Sequence, residues 1–357
     1  MEDKILIWLD KFDFLSYKKK DSIFNALKNV DFLNDFINSY PKLENIINYE
    51  QFSRIYYDIK NNLIDEYVNS ITKKGIRIIT INSNDYPERL KNIDNPPFVL
   101  YCKGDISLLN DDNNISIVGT RHPTNYGKEV TNKFARELTI NGFNIVSGLA
   151  DGVDTISHKA CLAEKGKTIA VLAGGFEHIY PSGNEGLSRE IEKTGLLVTE
   201  KAPEYQALNY DFPYRNRIIA GLSSGVLITE ASLKSGTMHT KEYAINYGKD
   251  LFVVPGNITS SASEGCNALI KDLRTNMVTS VDDILNVYHK TPNKSISKNI
   301  QLSVDEAIIY NLLKEGEMSF DELVIKTNFD SKTLSNLLTM LNFRGIIKKL
   351  AGNTYSL

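Results

Sequence analysis

The pattern of apolar and polar positions changes twice along the chain and so predicts three structural regions. Over residues 1–75, apolar side chains recur at helical spacing: Ile5, Leu6, Leu9, Ile23, Phe24, Leu27, Phe32, Leu33, Phe36 and Ile37. Polar joints such as residues 38–41 separate these runs. The pattern therefore predicts several short helices that form a small helical domain.

From Gly75 onward the period shortens, and apolar runs rich in β-branched residues alternate with helical segments. The runs occupy residues 76–81, 98–101, 115–118, 143–147, 168–173, 196–199, 226–229 and 251–254. The helices between them are expected to begin near Asp151, Asn184, Pro213 and Thr237. Strands that are apolar on both faces are typical of a parallel sheet covered by helices on both sides. We therefore expect a doubly wound, mostly parallel, Rossmann-like α/β domain over residues 76–288.

The last part of the chain returns to helical spacing. Residues 289–301 are polar and predict a linker, while residues 302–357 contain helical runs at 304–313, 320–327 and 331–343 before a short hairpin. This outline predicts a winged-helix domain. Its third helix is mostly apolar, and the segment holds six Lys/Arg against seven Asp/Glu. A helix that reads DNA should be basic on its exposed face, so we expect this domain to contact protein or to regulate.

Composition and charge exclude several classes of protein. The chain is 42% hydrophobic and 24% charged, as is typical of globular proteins, and it has no apolar run long enough for a bilayer. Its amino terminus lacks a signal-peptide pattern, so we expect a cytoplasmic protein without a membrane partner. Three distant cysteines and five scattered histidines argue against disulfides, metal and other cofactors. The net charge of −3 means that a nucleic-acid site must be a local basic patch.

Residues 115–148 form the unit around which the rest is organised. A strand ends at Gly119-Thr120-Arg121, a helix follows, and a second strand ends at Ser147-Gly148. The carboxyl ends of parallel strands border the ligand crevice, where helix amino termini favour anions, and Arg121 adds a charge there. The unit lacks the G-x-G-x-x-G fingerprint, which argues against a nicotinamide enzyme.

Two further loops of the predicted domain lie at the same edge of the sheet. The turn Ser235-Gly236-Thr237, with Lys241 one helical turn on, again combines hydroxyls with a helix start. Residues 174–180 end a strand in two glycines and supply Phe176 and Tyr180. These aromatic side chains either belong to the core or stack on bases, and the sequence leaves both interpretations open.

The helix that starts near Pro213 carries Arg215, Asn216 and Arg217. Arg215 shares a face with Ile218 and Ile219, whereas Arg217 lies about 200° round the helix. Two arginines that flank an asparagine suit a phosphate clamp, although ion pairs with Glu200 or Glu230 are the alternative.

Asp154, His158 and Cys161 share one helical face, an arrangement that could form an acid/base or thiol site. Cys161 lies among alanine and leucine, unlike a reactive thiol, and the acidic residues of this loop suit helix caps or buried hydrogen-bond partners. The sequence therefore predicts no catalytic residues here.

Six blocks in this order resemble one family: GTRHPTNYG, SGLADGVDTISHKACL, AVLAGGFEHIYPSGNEGL, FPYRNRIIAGLS, TEASLKSGTMHTKEYA and FVVPGN. Together, over residues 86–285, they are similar to the DprA/Smf family of bacterial DNA-processing proteins of natural transformation. The resemblance implies a non-catalytic protein that binds and protects single-stranded DNA, loads the RecA recombinase, and forms a homodimer through the Rossmann-like domain. The family's phosphate-pocket residues would correspond to Gly119, Thr120, Arg121, Ser147, Gly148, Arg215, Asn216, Arg217, Ser235, Gly236 and Thr237. The family often has a Gly-Ala step where this chain has residues 271–275, in the region expected near the dimer contact.

Two other functions remain open at this point. Glu230 and the Ser235-Gly236-Thr237 turn are similar to the nucleotide phosphoribohydrolases of the lysine-decarboxylase-like group. Those enzymes carry P-G-G-x-G-T-x-x-E, and Thr240 stands here in place of the glutamate. Glycosidic cleavage would then lack its acid/base partner. A sensor domain that binds a free nucleotide is the third possibility.

Overall fold

The computed structural model describes residues 2–12, 14–27, 36–293 and 302–357. The chain divides into two compact units, Met1–Asn293 and Lys294–Leu357. The first five residues of the linker expected at 289–301 belong to the first unit, and residues 294–301 lie outside the described part. Phe32 and Leu33, which the sequence assigns to a helix, also lie outside it. The proposed boundaries at residues 75 and 288 stay predictions.

The described residues of the first unit form a nine-stranded sheet in the order β1-β2-β6-β5-β4-β3-β7-β8-β9. The strands are β1 Arg77–Thr80, β2 Val99–Gly104, β3 Asn114–Val118, β4 Asn144–Ser147, β5 Thr168–Val171, β6 Leu196–Thr199, β7 Gly225–Ile228, β8 Asp250–Val253 and β9 Thr275–Met277. The seven strands from β6 to β9 are parallel, and β2 pairs antiparallel with both β1 and β6. The expected doubly wound, mostly parallel α/β fold is confirmed. Strand β9 is short and mostly polar, and the apolar pattern did not predict it.

Helices cover both faces of this sheet, which is why β3 to β7 are buried on both sides. The helices of the first unit are α1 Glu2–Asp10, α2 Tyr17–Leu27, α3 Tyr40–Leu43, α4 Tyr49–Lys60, α5 Leu63–Lys73, α6 Glu88–Lys91, α7 Asn125–Ile140, α8 Val153–Ala163, α9 Glu185–Thr194, α10 Asp211–Leu222, α11 Thr237–Asn246, α12 Glu264–Leu269 and α13 Val281–Val287. Four helices that the sequence places near Asp151, Asn184, Pro213 and Thr237 begin within two residues of those positions.

The strand order reverses beside β3. From β3 the chain winds through β4 and β5 to β6, and then returns to the other side of β3 to form β7, β8 and β9. Ligands bind to doubly wound sheets at such a switch point, outside the carboxyl ends of the strands. The fold therefore brings together the loops that follow β3, β4 and β7.

The amino-terminal helices pack on the outer face of β1 and β2. Trp8 and Tyr101 belong to one buried cluster, in which Tyr17 stacks on Phe98 with ring centroids 4.7 Å apart. Asp10 accepts a hydrogen bond from the Tyr101 hydroxyl at 3.1 Å. The helical region and the sheet therefore share one hydrophobic core.

The second unit contains α14 Val304–Lys314, β10 Met318–Ser319, α15 Phe320–Thr327, α16 Ser331–Phe343, β11 Lys348–Leu350 and β12 Thr354–Ser356. The three strands form an antiparallel sheet in the order β10-β12-β11, and a separate apolar cluster fills the space beneath the helices. A winged helix has this order of elements, and assignment to that fold stays a prediction. Helix α16 leaves Met340 and Phe343 exposed.

Every helix in the described ranges is too short or too polar to span a membrane.

Candidate functional site

A cleft of about 310 Å³ lies at the switch point, where the loops after β3 and β7 meet the start of α10. Seven residues that the sequence analysis selected line it: Gly119, Arg121, Arg215, Asn216, Ser235, Gly236 and Thr237. The structure thus gathers residues that lie more than a hundred positions apart in the chain.

Arg215 is the buried cation of this cleft. Only 5% of the residue is exposed, and its Nη1 donates to the carbonyl of Gly148 at 2.7 Å and to that of Val171. Its Nε donates to Asn216 Oδ1 at 3.2 Å. Burial lowers the pKa of the guanidinium to about 10, against the opposing effect of Asp154, so Arg215 remains charged at neutral pH.

Arg121 is the exposed cation of the cleft. Its guanidinium carbon lies 5.4 Å from the centroid of the Phe212 ring, within cation–π range. The loop that carries it is fixed on both sides, since Thr120 N donates to Glu230 O at 2.8 Å and Thr120 O accepts from Val153 N at 3.1 Å. A Cβ on Gly119 would lie 2.6 Å from the Val153 side chain, so this turn requires glycine.

The turn before α11 forms the opposite wall. Ser235 Oγ accepts from Thr237 N at 3.2 Å and donates to Thr237 Oγ1 at 2.9 Å. These bonds fix the turn at the amino end of a ten-residue helix, where backbone N–H groups and the helix dipole favour an anion. Thr120 supports the neighbouring loop through its backbone rather than lining the cleft.

The sequence predicts that the amino end of α7 faces an anionic ligand, and the structure differs at this point. Glu230 is 1% exposed, and its carboxylate accepts hydrogen bonds from Thr124 N at 2.8 Å and from Thr124 Oγ1 at 2.6 Å. The anion expected at the start of this helix is therefore a side chain of the protein itself. The residue follows β7 by two positions, and its partner is more than a hundred residues away.

The loop after β4 is also internally satisfied. Asp154 Oδ2 accepts from Gly148 N at 3.0 Å and from Ala150 N at 3.4 Å, while Ser147 Oγ donates to Ile117 O at 2.7 Å. Burial raises the pKa of the Asp154 carboxyl, while Arg215 and these N–H donors oppose that shift. Ser147 and Gly148 thus support the site: Ser147 joins β4 to β3, and the Gly148 carbonyl holds Arg215.

Three selected side chains lie away from the cleft. Arg217 is 1% exposed, its guanidinium is paired with Glu200 at 3.1 and 2.5 Å, and it lies 4.0 Å from the Tyr214 ring centroid. The helical phase explains this, because Arg217 points to the face of α10 opposite Arg215. Phe176 packs against apolar clusters, with Lys103 Nζ 5.5 Å from its ring. Lys241 pairs with Glu242. The structure therefore separates these three from the residues that line the cleft.

A second cleft of about 520 Å³ adjoins the first and shares Arg121 and Phe212 with it. Tyr180 lines this cleft, is 59% exposed, and stands edge-on to Phe212 with ring centroids 5.3 Å apart. Phe212 and His178, which also line this cleft, are not among the site residues predicted from the sequence. Phe212 could have been recognised from its position three residues before Arg215, on the same side of the first helical turn.

The chemistry of α8 is that of a packed interior. Burial lowers the pKa of His158 to about 3, with Arg215 contributing, and the neutral ring places Nδ1 2.7 Å from Thr168 Oγ1. Burial raises the pKa of the Cys161 thiol to about 11. Neither group is ready for acid/base or nucleophilic chemistry near neutral pH. Among the described residues, no group of three or more His, Cys, Asp or Glu could hold a metal.

A doubly wound, mostly parallel sheet with a cleft at its switch point places the chain among Rossmann-like α/β proteins. The family described as DNA recombination-mediator protein A matches residues 77–289. The chain belongs to this family, as the sequence resemblance to DprA/Smf proteins indicated.

Relatives and solved structures agree with this assignment. The DNA processing protein DprA of Bacillus subtilis is 42% identical over 224 residues, which cover 63% of this chain and 74% of that protein. Protein Smf of Escherichia coli is 38% identical over 58% of this chain, and the match covers about half, 55%, of that relative.

The X-ray structure of Streptococcus pneumoniae DprA matches with a TM-score of 0.68 and 32% identity, over 80% of this chain and 97% of that chain. A Helicobacter pylori structure described as showing the single-stranded DNA binding mode of DNA processing protein A matches with a TM-score of 0.54 and 34% identity, over 60% and 96%.

The buried His158 should make the folded protein less stable as the pH decreases. An ordinary histidine titrates near about 6.5, so between that value and about 3 the unfolded chain binds a proton that the folded chain excludes. Stability due to the neutral ring is complete above the unfolded pKa and is lost as the pH falls. His158→Asn, whose amide can still donate to Thr168 Oγ1, should flatten the dependence of unfolding free energy on pH between about 4.5 and 6.5. Urea unfolding measures this; the exposed His122→Asn is the control, and an equal slope in all three proteins would contradict the expectation.

Proposed function

We propose that the protein binds single-stranded DNA at this cleft, catalyses no reaction on it, and handles incoming strands during natural transformation. The observation that carries the proposal is the state of Arg215. It is buried and charged, and within the described residues it forms no ion pair with a carboxylate, unlike Arg217 on the same helix. Asp154 stabilises this charge without a direct ion pair, and the phosphate of a strand would contact it directly.

The second cleft favours a single strand over a duplex. Tyr180 and Phe212 present aromatic surfaces beside Arg121, and unstacked bases can lie against such rings without sequence choice. Bases in a duplex are stacked on one another and are read from the grooves, for which the site presents no basic helix. The Helicobacter pylori relative, whose description names single-stranded DNA binding, gives independent support.

Delivery of the strand to RecA belongs to this proposal and is supported by the family resemblance. We propose that this chain delivers the strand to RecA in the cytoplasm. The test is whether the protein accelerates RecA filament formation on a strand that single-strand binding protein already covers.

A homodimer through the Rossmann-like domain is also proposed, and the far edge of the sheet supports it. Among the described residues, β9 pairs with β8 alone, so its outer edge is open. Leu273, just before β9, is fully exposed, and Met277, its last residue, is 55% exposed. Open strand edges and exposed apolar side chains favour association with another surface.

The enzyme alternatives find less support at the site. Thr240 lines the cleft at the position where phosphoribohydrolases carry a glutamate. Asp154 and Glu230 are both buried and accept hydrogen bonds from the protein, so neither is placed to transfer a proton to a glycosidic bond.

Binding should favour single strands and should weaken steeply with salt. Lys and Arg contacts to phosphates release counterions, so the logarithm of affinity should fall linearly with the logarithm of salt concentration. Fluorescence anisotropy with an oligonucleotide and its duplex, each over a salt series, measures both effects. Equal affinity for the two forms, or affinity independent of salt, would refute the proposed function.

Arg215→Ala should weaken strand binding more than Arg217→Ala. The first change removes a charged donor from the cleft and should cost about 1.5–3 kcal/mol of binding free energy. The second leaves the cleft intact but removes the ion-pair partner of the Glu200 carboxylate, so its main effect should be on the stability of the fold. Affinities are compared at temperatures equally far below each protein's Tm. A larger loss of affinity in Arg217→Ala would place the strand on the other side of α10.

Arg121→Glu should abolish binding without changing the fold.

Leu273→Lys should shift the protein from dimer to monomer, because it places a charge on the open edge of the sheet. Light scattering after size-exclusion chromatography gives the mass directly. Ile325→Lys, which changes an 80% exposed side chain of the second unit, is the matched control and should leave the mass unchanged. A Leu273→Lys protein that stays dimeric would exclude this edge as the interface.

A further inference from the structure

Two carboxylates of the protein accept hydrogen bonds from backbone amide groups of the loops at the switch point. Asp154 lines the cleft, and Glu230 is buried behind it. The first is Glu230, which accepts from the N–H and the hydroxyl of Thr124 at the start of the sixteen-residue helix α7. In dinucleotide-binding folds the pyrophosphate takes the corresponding position, at the amino end of the helix after the first strand. A Cβ on Gly127 would lie 2.3 Å from Glu230 Oε2, so the carboxylate fills the space against the first turn.

The second carboxylate is Asp154, on the neighbouring loop. One of its oxygens accepts from both Gly148 N and Ala150 N, and only 7% of the residue is exposed. Two N–H donors to one oxygen favour the ionised form of the carboxyl group. The loop after β4 therefore has no vacant amide for a ligand at these two positions.

The charged side chains in and behind the cleft nearly balance. Arg121, Arg215 and Asp154 line the cleft, and Glu230 is buried outside the lining. A phosphodiester brings one further negative charge, whereas pyrophosphate or a nucleoside triphosphate brings several. Each additional charge would be repelled by Asp154 in the lining and by Glu230 behind it, in a region where burial lowers the dielectric constant.

We propose that Glu230 and Asp154 are built-in anions that restrict the cleft to one singly charged phosphodiester and so exclude nucleotide polyphosphates and dinucleotides. This inference rests on the proposed function, since it specifies which phosphate of a nucleic acid the site accepts.

The first test is competition with the wild-type protein. A fluorescent single strand is bound, and sodium pyrophosphate or metal-free ATP is added against potassium chloride at matched ionic strength. We expect both anions to displace the strand no better than the chloride control, whereas an unlabelled strand displaces it fully. Displacement by pyrophosphate or ATP well beyond the chloride control would overturn the inference.

The second test removes the built-in charges one at a time. Glu230→Ala vacates space at the start of α7, and Asp154→Asn neutralises the second loop. The control is Glu190→Ala, which removes one charge from the exposed surface of α9. We expect pyrophosphate to compete at least about tenfold better against the strand in Glu230→Ala than in the control, a difference of about 1.4 kcal/mol. Equal competition in folded Glu230→Ala, Asp154→Asn and Glu190→Ala would overturn the inference.

Failure of the proposed function remains distinguishable from failure of this inference. If the wild-type protein does not bind the strand before any competitor is added, the proposed function fails. The inference is then decided by thermal shift, in which pyrophosphate should raise the Tm of the wild type no more than chloride does. If the variants do not fold, the wild-type competition alone decides.

Discussion

The site depends on one interaction, the insertion of the Arg215 side chain beneath the ends of two parallel strands. Its guanidinium donates to the carbonyls of Gly148 and Val171, the first residue after β4 and the last of β5, and so joins both strand ends to α10. Carbonyls at the carboxyl edge of a parallel sheet have no further strand to pair with, and a buried cation satisfies them. Those acceptors are neutral, so the guanidinium keeps its charge, and Asp154 in the same cleft offsets it electrostatically.

The same constraint explains why the two arginines of α10 have different roles. Helical geometry places Arg217 on the opposite face, where the helix packs towards the amino-terminal region and Glu200 provides a carboxylate. One helix thus carries a structural ion pair on one face and the cation of the cleft on the other. Arg215, Arg217 and Glu200 therefore link the stability of the molecule to the geometry of its site.

The sequence predicted the sheet well, because β-branched runs buried on both faces are distinctive, and it missed β9 because that strand is polar and lies at an edge. It also selected most of the lining, since glycines and hydroxyls at strand ends mark the loops that must meet. Local spacing could not reveal partners more than a hundred residues apart. Glu230 with Thr124, and Arg217 with Glu200, become evident only when the strand order is known. Phe176 shows the same limit, since nothing local separates a core aromatic residue from one that faces a ligand.

The near balance of charge in the cleft has a consequence for avidity. A pocket whose positive charges are already offset holds any one phosphate weakly, so a single nucleotide should be exchanged rapidly. Useful affinity must then come from several contacts made at once along one polymer, because each bound phosphate raises the effective concentration of the next. On the proposed function, such a protein would distinguish a long strand from its degradation products by length, and free nucleotides would compete with the strand only weakly.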